Sequence, residues 1–289
     1  MKKFKLLLIL IGISSITGCF KRDTMDDISI VTTTYPIQYL VEEIYGYNSD
    51  IVSIYPNGVN VDEYTLSNKK IKEYSSNDII VYNGLISKER NMTVSLVNKN
   101  NDLKLIDVAR DKSVVIERDV EELWLCPRNY LMLARNIKNQ LIKLTNSTVL
   151  IQEIEKNNDD LKFTISKYDA ELKLIADTAE NKSIIVGNDV FKFLELYGFE
   201  VYSVEDNDLF IQSDYTNAKT NLTNKKNSYI FLLDTDSINE NTQKMVDAGA
   251  EIIYINSLIT RTDEESTENY TYTDMMDNFI EKLKLEVYN

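Results

Sequence analysis

From Thr148 to about Thr178 the chain contains neither glycine nor proline. Within that stretch Leu150, Ile151, Ile154, Leu161, Ile165, Tyr168, Leu172 and Ile175 are interspersed with Glu, Lys and Asp. Such a segment reads as a helix of about 30 residues, roughly 45 Å long, enough to cross from one lobe of a protein to another. The cluster Asn157-Asn158-Asp159-Asp160 is the one place able to kink it.

On either side of this segment the pattern is a repeated strand–helix alternation. Before it, "ISIV", "DIVSIYP", "DIIVYNG" and "DLKLIDVA" read as strands. Pro36 suits the first turn of a helix, and Ile37, Leu40, Val41 and Ile44 share one helical face that ends at Gly46. "LSNKKIKEY" reads as a short helix capped by Ser67, and a further helix runs from Pro127 to about Leu144. After the long segment come "SIIVG", "FEVYSV", "SYIFLLD" and "EIIYIN", with helices at Asp189–Tyr197, Ser237–Ala248 and Thr273–Val287. Strands alternating with helices form parallel sheets covered by helices. The expected fold is therefore α/β: two lobes, each a parallel four-stranded sheet with flanking helices, joined by one long linking helix. The expected boundaries are 28–146 for the first lobe, 147–180 for the linking helix and 181–289 for the second lobe.

The N-terminus carries an address. Met1-Lys2-Lys3-Phe4-Lys5 is a cationic start, Leu6 to Ile13 is an apolar run too short to span a bilayer, and Ile16-Thr17-Gly18-Cys19 resembles a bacterial lipobox. That resemblance implies a signal peptide over 1–18, lipidation at Cys19, a polar tether over 19–27, and a protein held on the outer face of the bacterial cell membrane. Cys126 is the one other cysteine, so an acylated Cys19 leaves no disulfide within the chain.

Composition narrows the function. Against 46 acidic residues stand 32 basic ones and no histidine, a net charge of −14. Nucleic acid, which requires a clustered cationic face, is excluded as a partner. Without histidine, acid–base chemistry would fall to carboxylates, lysine or tyrosine, and no serine or cysteine nucleophile stands beside a recognisable base. The eight glycines form no phosphate-binding loop. An enzyme is therefore not expected.

Five stretches in order, "IVTTTYPIQYLVEEIYG", "YPNGVNVDEYTLSNKKIKEYSSNDIIVYNG", "ELWLCPRNYLMLARNI", "FLELYGFE" and "YTDMMDNFIEKLK", resemble the solute-binding lipoproteins of bacterial zinc and manganese ABC importers, the metal-binding cluster A-I type. The resemblance spans essentially all of the mature chain. It implies two α/β lobes on a rigid linking helix, a divalent metal held between them, and delivery to an ABC permease with its cytoplasmic ATPase.

The family places its metal ligands at four positions, and this sequence departs from the common pattern at all four. Where the family has proline-histidine-x-tyrosine this chain has Val61-Asp62-Glu63-Tyr64, which puts Asp62 at the ligand position. Glu122 stands two residues before Trp124, where another histidine is usual. Asn188, or its neighbour Asp189, precedes the helix ending in Tyr197-Gly198, and Asn256 follows the last strand. Asp62, Glu122, Asn188 and Asn256 would offer four oxygen donors. Oxygen suits hard ions, so manganese or calcium is favoured over zinc, which prefers imidazole and thiolate. Each of the four also has a plain structural reading, as a solvated acid or a turn-forming asparagine. Cys126 is more readily a small buried hydrophobe than a ligand. Tyr35, Tyr55, Tyr64 and Tyr82 are expected near the cleft edge, either lining a pocket for an organic solute or packing in the lobe. Two functions follow. One is a lipid-anchored solute-binding protein that captures a divalent cation, or a related solute, in a histidine-free site. The other is a surface adhesion or interaction lipoprotein that keeps the fold and binds no metal.

Overall fold

The computed structural model describes residues 28–46, 49–110 and 119–288. The signal peptide, Cys19 and the tether lie outside the described residues. Short apolar runs form β1 (Ser29–Thr32), β2 (Asp50–Ser53), β3 (Ile79–Tyr82) and β4 (Lys104–Asp107). These pair in parallel in the order β2-β1-β3-β4, with Ile30 set between Ile51 and Ile79. A second parallel sheet repeats the arrangement as β6-β5-β7-β8, from β5 (Ser183–Val186), β6 (Glu200–Ser203), β7 (Tyr229–Leu233) and β8 (Glu251–Ile255). The α/β fold read from the alternation is the fold observed.

The first sheet is covered by α1 (Tyr35–Tyr45), α2 (Asn68–Tyr74) and α3 (Ser87–Lys99). A single turn, α4 (Glu122–Leu125), leads into α5 (Pro127–Leu144). Then α6 (Thr148–Thr178) runs without a break for 31 residues. Ser147 caps it, accepting from the Leu150 amide at 3.3 Å. The Asn157–Asp160 cluster does not interrupt it: Asn157 donates to the Ile44 carbonyl at the end of α1 (3.4 Å), and Asp160 pairs with Lys156 (2.7 Å). The second lobe adds α7 (Gln212–Thr223), α8 (Glu240–Asp247), α9 (Asp263–Thr267) and α10 (Tyr272–Val287). Asp189–Tyr197 is helical as expected but winds as 3-10 turns, closed by Gly198 in the left-handed region (φ 106°).

Besides the single turn α4, three helices, α3, α7 and α9, were not expected from the sequence. The first two are polar, burying Glu89, Met92, Thr93 and Leu96 in one case and only Ala218 and Leu222 in the other. A face that narrow leaves almost no 3.6-residue signal.

One apolar core serves both lobes. It joins Ile30 and Val81 of the first sheet, Trp124 and Tyr130 of the α4–α5 region, Leu172 of α6, and Phe231 and Phe279 of the second lobe. Tyr272 stacks between Tyr130 (4.2 Å) and Tyr39 (5.5 Å) and donates its hydroxyl to the Trp124 carbonyl at 2.8 Å. Backbone bonds cross as well, from Tyr35 N–H to Ile259 O (3.2 Å) and from Gly58 N–H to Arg261 O (2.7 Å). Trp124 Nε1 donates to Ser257 O at 2.8 Å. Trp124→Phe keeps an aromatic ring in the core but orphans that carbonyl and leaves space where the rest of the indole stood. A loss of about 1–3 kcal/mol is expected, read by calorimetry as a Tm lower by several degrees; an unchanged Tm would show that the bond does not tie the lobes.

Candidate functional site

In parallel α/β sheets ligands bind beyond the carboxyl ends of the strands, where the order of connection reverses. Both sheets here point those ends at the same gap, a cavity of about 650 Å³. Its walls come from the loop after β2, the segment before α4, and the loops after β5, β7 and β8.

In the first lobe, Gly58 (φ 65°) turns the loop back and Asn60 Oδ1 accepts from the Asp62 amide at 2.9 Å. Lys88, in the first turn of α3, donates to the carbonyls of Val61 (2.6 Å) and Asp62 (2.7 Å). A helix invisible in the sequence pattern thus fixes the loop that carries Asp62, and Asp62 lies exposed on the cavity wall.

Asp119 and Glu121 enter the cavity from the segment leading to α4. Glu122 does not line it: this side chain is buried, close enough to Cys126 for its charge to disfavour the thiolate. Burial is the larger cause, and together they raise the Cys126 thiol above its ordinary range. Cys126 itself is buried at the N-cap of α5 and is absent from the cavity wall.

In the second lobe Asn188 and Asn256 both line the cavity, but their amides are already committed. Asn188 Oδ1 accepts from the Val190 amide (2.8 Å) while Nδ2 donates to Asp236 Oδ1 (3.0 Å). Asn256 repeats the pattern: Oδ1 accepts from Leu258 N–H (2.8 Å) and Nδ2 donates to Glu265 Oε1 (2.8 Å). Leu258 is held at φ 64°, uncommon for a bulky residue and fixed here by that bond and by burial. Asp189, the alternative to Asn188, faces away from the cavity. It pairs with Lys192 at 3.2 Å and accepts from Asn207 at 3.2 Å. Burial works against its charge, yet bonds from Ser203 and Asn207 and the Lys192 charge hold it below the ordinary carboxylate range.

The wall therefore carries Asp62, Asp119, Glu121, Asp234, Asp236 and Glu265, and none of the described lining residues is basic. Burial pushes Glu121 up to about 7; a hydrogen bond from its own backbone opposes this, and the fields of Asp119, Asp236 and Asp62 add to it. Burial likewise raises Asp236, against the Leu233 amide and Asn188, with Asp119 and Asp234 adding to the shift. Among the described residues, no three carboxylate, thiol or imidazole groups lie close enough to hold one metal ion. Asp119, Glu121, Asp234, Asp236 and Glu265 were not singled out from the sequence. The signal available was acidic residues directly after a predicted strand, as in "SYIFLLDTD". Tyr35 and Tyr55 are buried, Tyr55 meets Tyr64 edge-on at 5.6 Å, and no aromatic ring lines the cavity among the described residues.

These features define a two-lobed solute-binding protein of the rigid-linker kind. The chain belongs to the family described as "ZnuA: Zinc-uptake complex component A periplasmic", whose model matches residues 30–285. It is 25% identical to the manganese ABC transporter substrate-binding lipoprotein PsaA of Streptococcus anginosus, across 98% of each chain. It is 28% identical to the iron ABC transporter substrate-binding lipoprotein MtsA of Streptococcus pyogenes, over 68% of this chain and 66% of that one. The fold is shared with the Zn(II)-bound ZnuA-like domain of Streptococcus pneumoniae AdcA (TM-score 0.70, 19% identity, 91% of this chain and 99% of that one). It is shared too with the metal-dependent lipoprotein YcdH of Bacillus subtilis (TM-score 0.71, 20% identity, 90% and 99%).

The raised Glu121 sets a pH signature. The folded protein keeps a proton there that the unfolded chain gives up near 4.5, so stability falls as pH rises from about 4.5 to about 7. Glu121→Gln removes that penalty. Its Tm should exceed that of the parent by a few degrees at pH 8, about 1–2 kcal/mol after allowance for solvent screening, and match it at pH 4.5. Equal Tm values at pH 8 would show that Glu121 is not electrostatically strained.

Proposed function

We propose that this chain is the lipid-anchored, extracytoplasmic solute-binding component of a metal-type ABC importer. Its cargo is a divalent cation, captured between the lobes by carboxylates and delivered to a membrane permease powered by a cytoplasmic ATPase. The observation that carries this reading is the cavity wall, where acids from both lobes share one field and no described lining residue supplies a counter-charge. A divalent cation relieves that repulsion, and oxygen groups favour manganese or calcium over zinc. Of the four positions expected to ligate, Asp62 serves through its carboxylate. Asn188 and Asn256 act by aiming Asp236 and Glu265, and Glu121 takes the role expected of Glu122. The core shared between the lobes keeps closure small.

Calorimetric titration of chelator-stripped protein tests the proposal. Manganese and calcium should bind saturably and one to one, and Asp62→Asn combined with Glu121→Gln should weaken both by tenfold or more. Because a cation displaces the Glu121 proton, affinity should fall about tenfold from pH 8 to pH 6. Flat titrations with manganese, calcium and zinc would refute metal capture and leave the surface-interaction reading standing.

A further inference from the structure

The charges of this acidic chain are unevenly placed. Against 46 acidic and 32 basic residues overall, α5 carries Arg128, Arg135, Lys138 and Lys143 and no acidic residue. Where α5 runs along α6, an open groove of about 350 Å³ is lined by Arg135, Lys138 and Lys162, and Asp159 is the one acid among its described lining residues. Its apolar lining is Leu131, Met132 and Ala134. Phe163, next to Lys162, is 67% exposed, with Lys167 Nζ over its ring at 4.6 Å. Cations bordering apolar groups, with an exposed aromatic ring beside them, match the headgroup layer of an anionic bilayer.

The groove also lies at the end of the first lobe where the chain enters it. Asn157, the neighbour of the groove's Asn158, donates to Ile44 O near the end of α1. From there the chain leads to Asp50, which pairs with Ser29 at the start of β1. Eight residues, 20–27, stand between Cys19 and Ile28, a reach of about 30 Å at most. With Cys19 acylated, the body stays within that distance of the bilayer. The cleft opens beyond the opposite, carboxyl ends of the strands. An anionic bilayer repels most of an acidic body held this close, which leaves the cationic groove as the face its field selects.

Resting on the reading of the chain as a lipid-anchored protein, we infer that the α5–α6 groove docks on the anionic phospholipid headgroups of the membrane that holds the anchor. The anchored protein then rests with its cleft turned away from the bilayer, open to solute.

The test uses the membrane-extracted protein, its lipid at Cys19 checked by mass spectrometry, reconstituted into vesicles that carry a nitroxide-headgroup lipid as quencher. A fluorophore is placed at Asn139→Cys, exposed on α5 beside Lys138, or at Glu268→Cys, exposed at the end of α9 near the cleft. In vesicles with about one-third phosphatidylglycerol, the Asn139 label should be quenched about threefold more than the Glu268 label. That excess should vanish in pure phosphatidylcholine, in salt of about 1 M, and in Lys138→Glu combined with Lys162→Glu. Equal quenching of the two labels on the anionic vesicles, or an excess that the charge reversals leave intact, would overturn the inference and leave the anchor in place. Self-association that shields the Asn139 label alike in both lipids would assign the groove to a second copy and overturn it as well. A chain that acquires no lipid at Cys19 would overturn the anchored reading itself, and this docking with it.

Discussion

The loop from Ser257 to Arg261 is bonded to the opposite lobe at three points, and the rest of the site depends on that attachment. Trp124 reaches Ser257, Tyr35 reaches Ile259 and Gly58 reaches Arg261, all through main-chain carbonyls. Arg261 also lies over the Tyr35 ring at 4.3 Å. Because the contacts involve backbone, they fix where the end of the second sheet stands relative to the first, whatever side chains the loops carry. The core beneath, continuous through α6 and α10, removes the freedom that a hinge would need. The cleft is thus a preformed space between two strand ends.

What fills that space is charge without compensation. A buried or half-buried carboxylate normally finds a cation, as Asp189 finds Lys192. On the cleft wall the acids find amide donors and one another. Asn188 and Asn256 hold Asp236 and Glu265 in place without neutralising them. Burial above all, with the neighbouring acids adding to it, raises Glu121 and Asp236, a cost that a bound cation would lower. The two asparagines that the sequence marked as candidate ligands are thus bonded to the neighbouring acids.

Much of the fold was legible in the sequence because its elements bury wide apolar faces. The stripe in α5 and the unbroken run of α6 gave bounds that the structure repeats, Pro127–Leu144 and Thr148–Thr178. Helices α3 and α7 stayed hidden because they bury two apolar groups each and gain their order from packing against a sheet. The site was legible by loop rather than by atom. Asp62, Asn188 and Asn256 lie on the cavity wall. Counting back from Trp124, however, selects Glu122, and the short α4 turn directs that residue inward and Glu121 outward. A one-residue choice on a tight turn is a matter of backbone rotation, which spacing in the sequence does not encode. Asp236 became visible only with its partner Asn188, 48 residues away in the chain.

Anomalous scattering at the manganese edge, from crystals grown with manganese, tests the central claim most directly. One strong peak is expected in the cavity between the lobes, bounded by Asp62, Glu121 and Asp236. A peak elsewhere on the molecule, or none at saturating manganese, would contradict it.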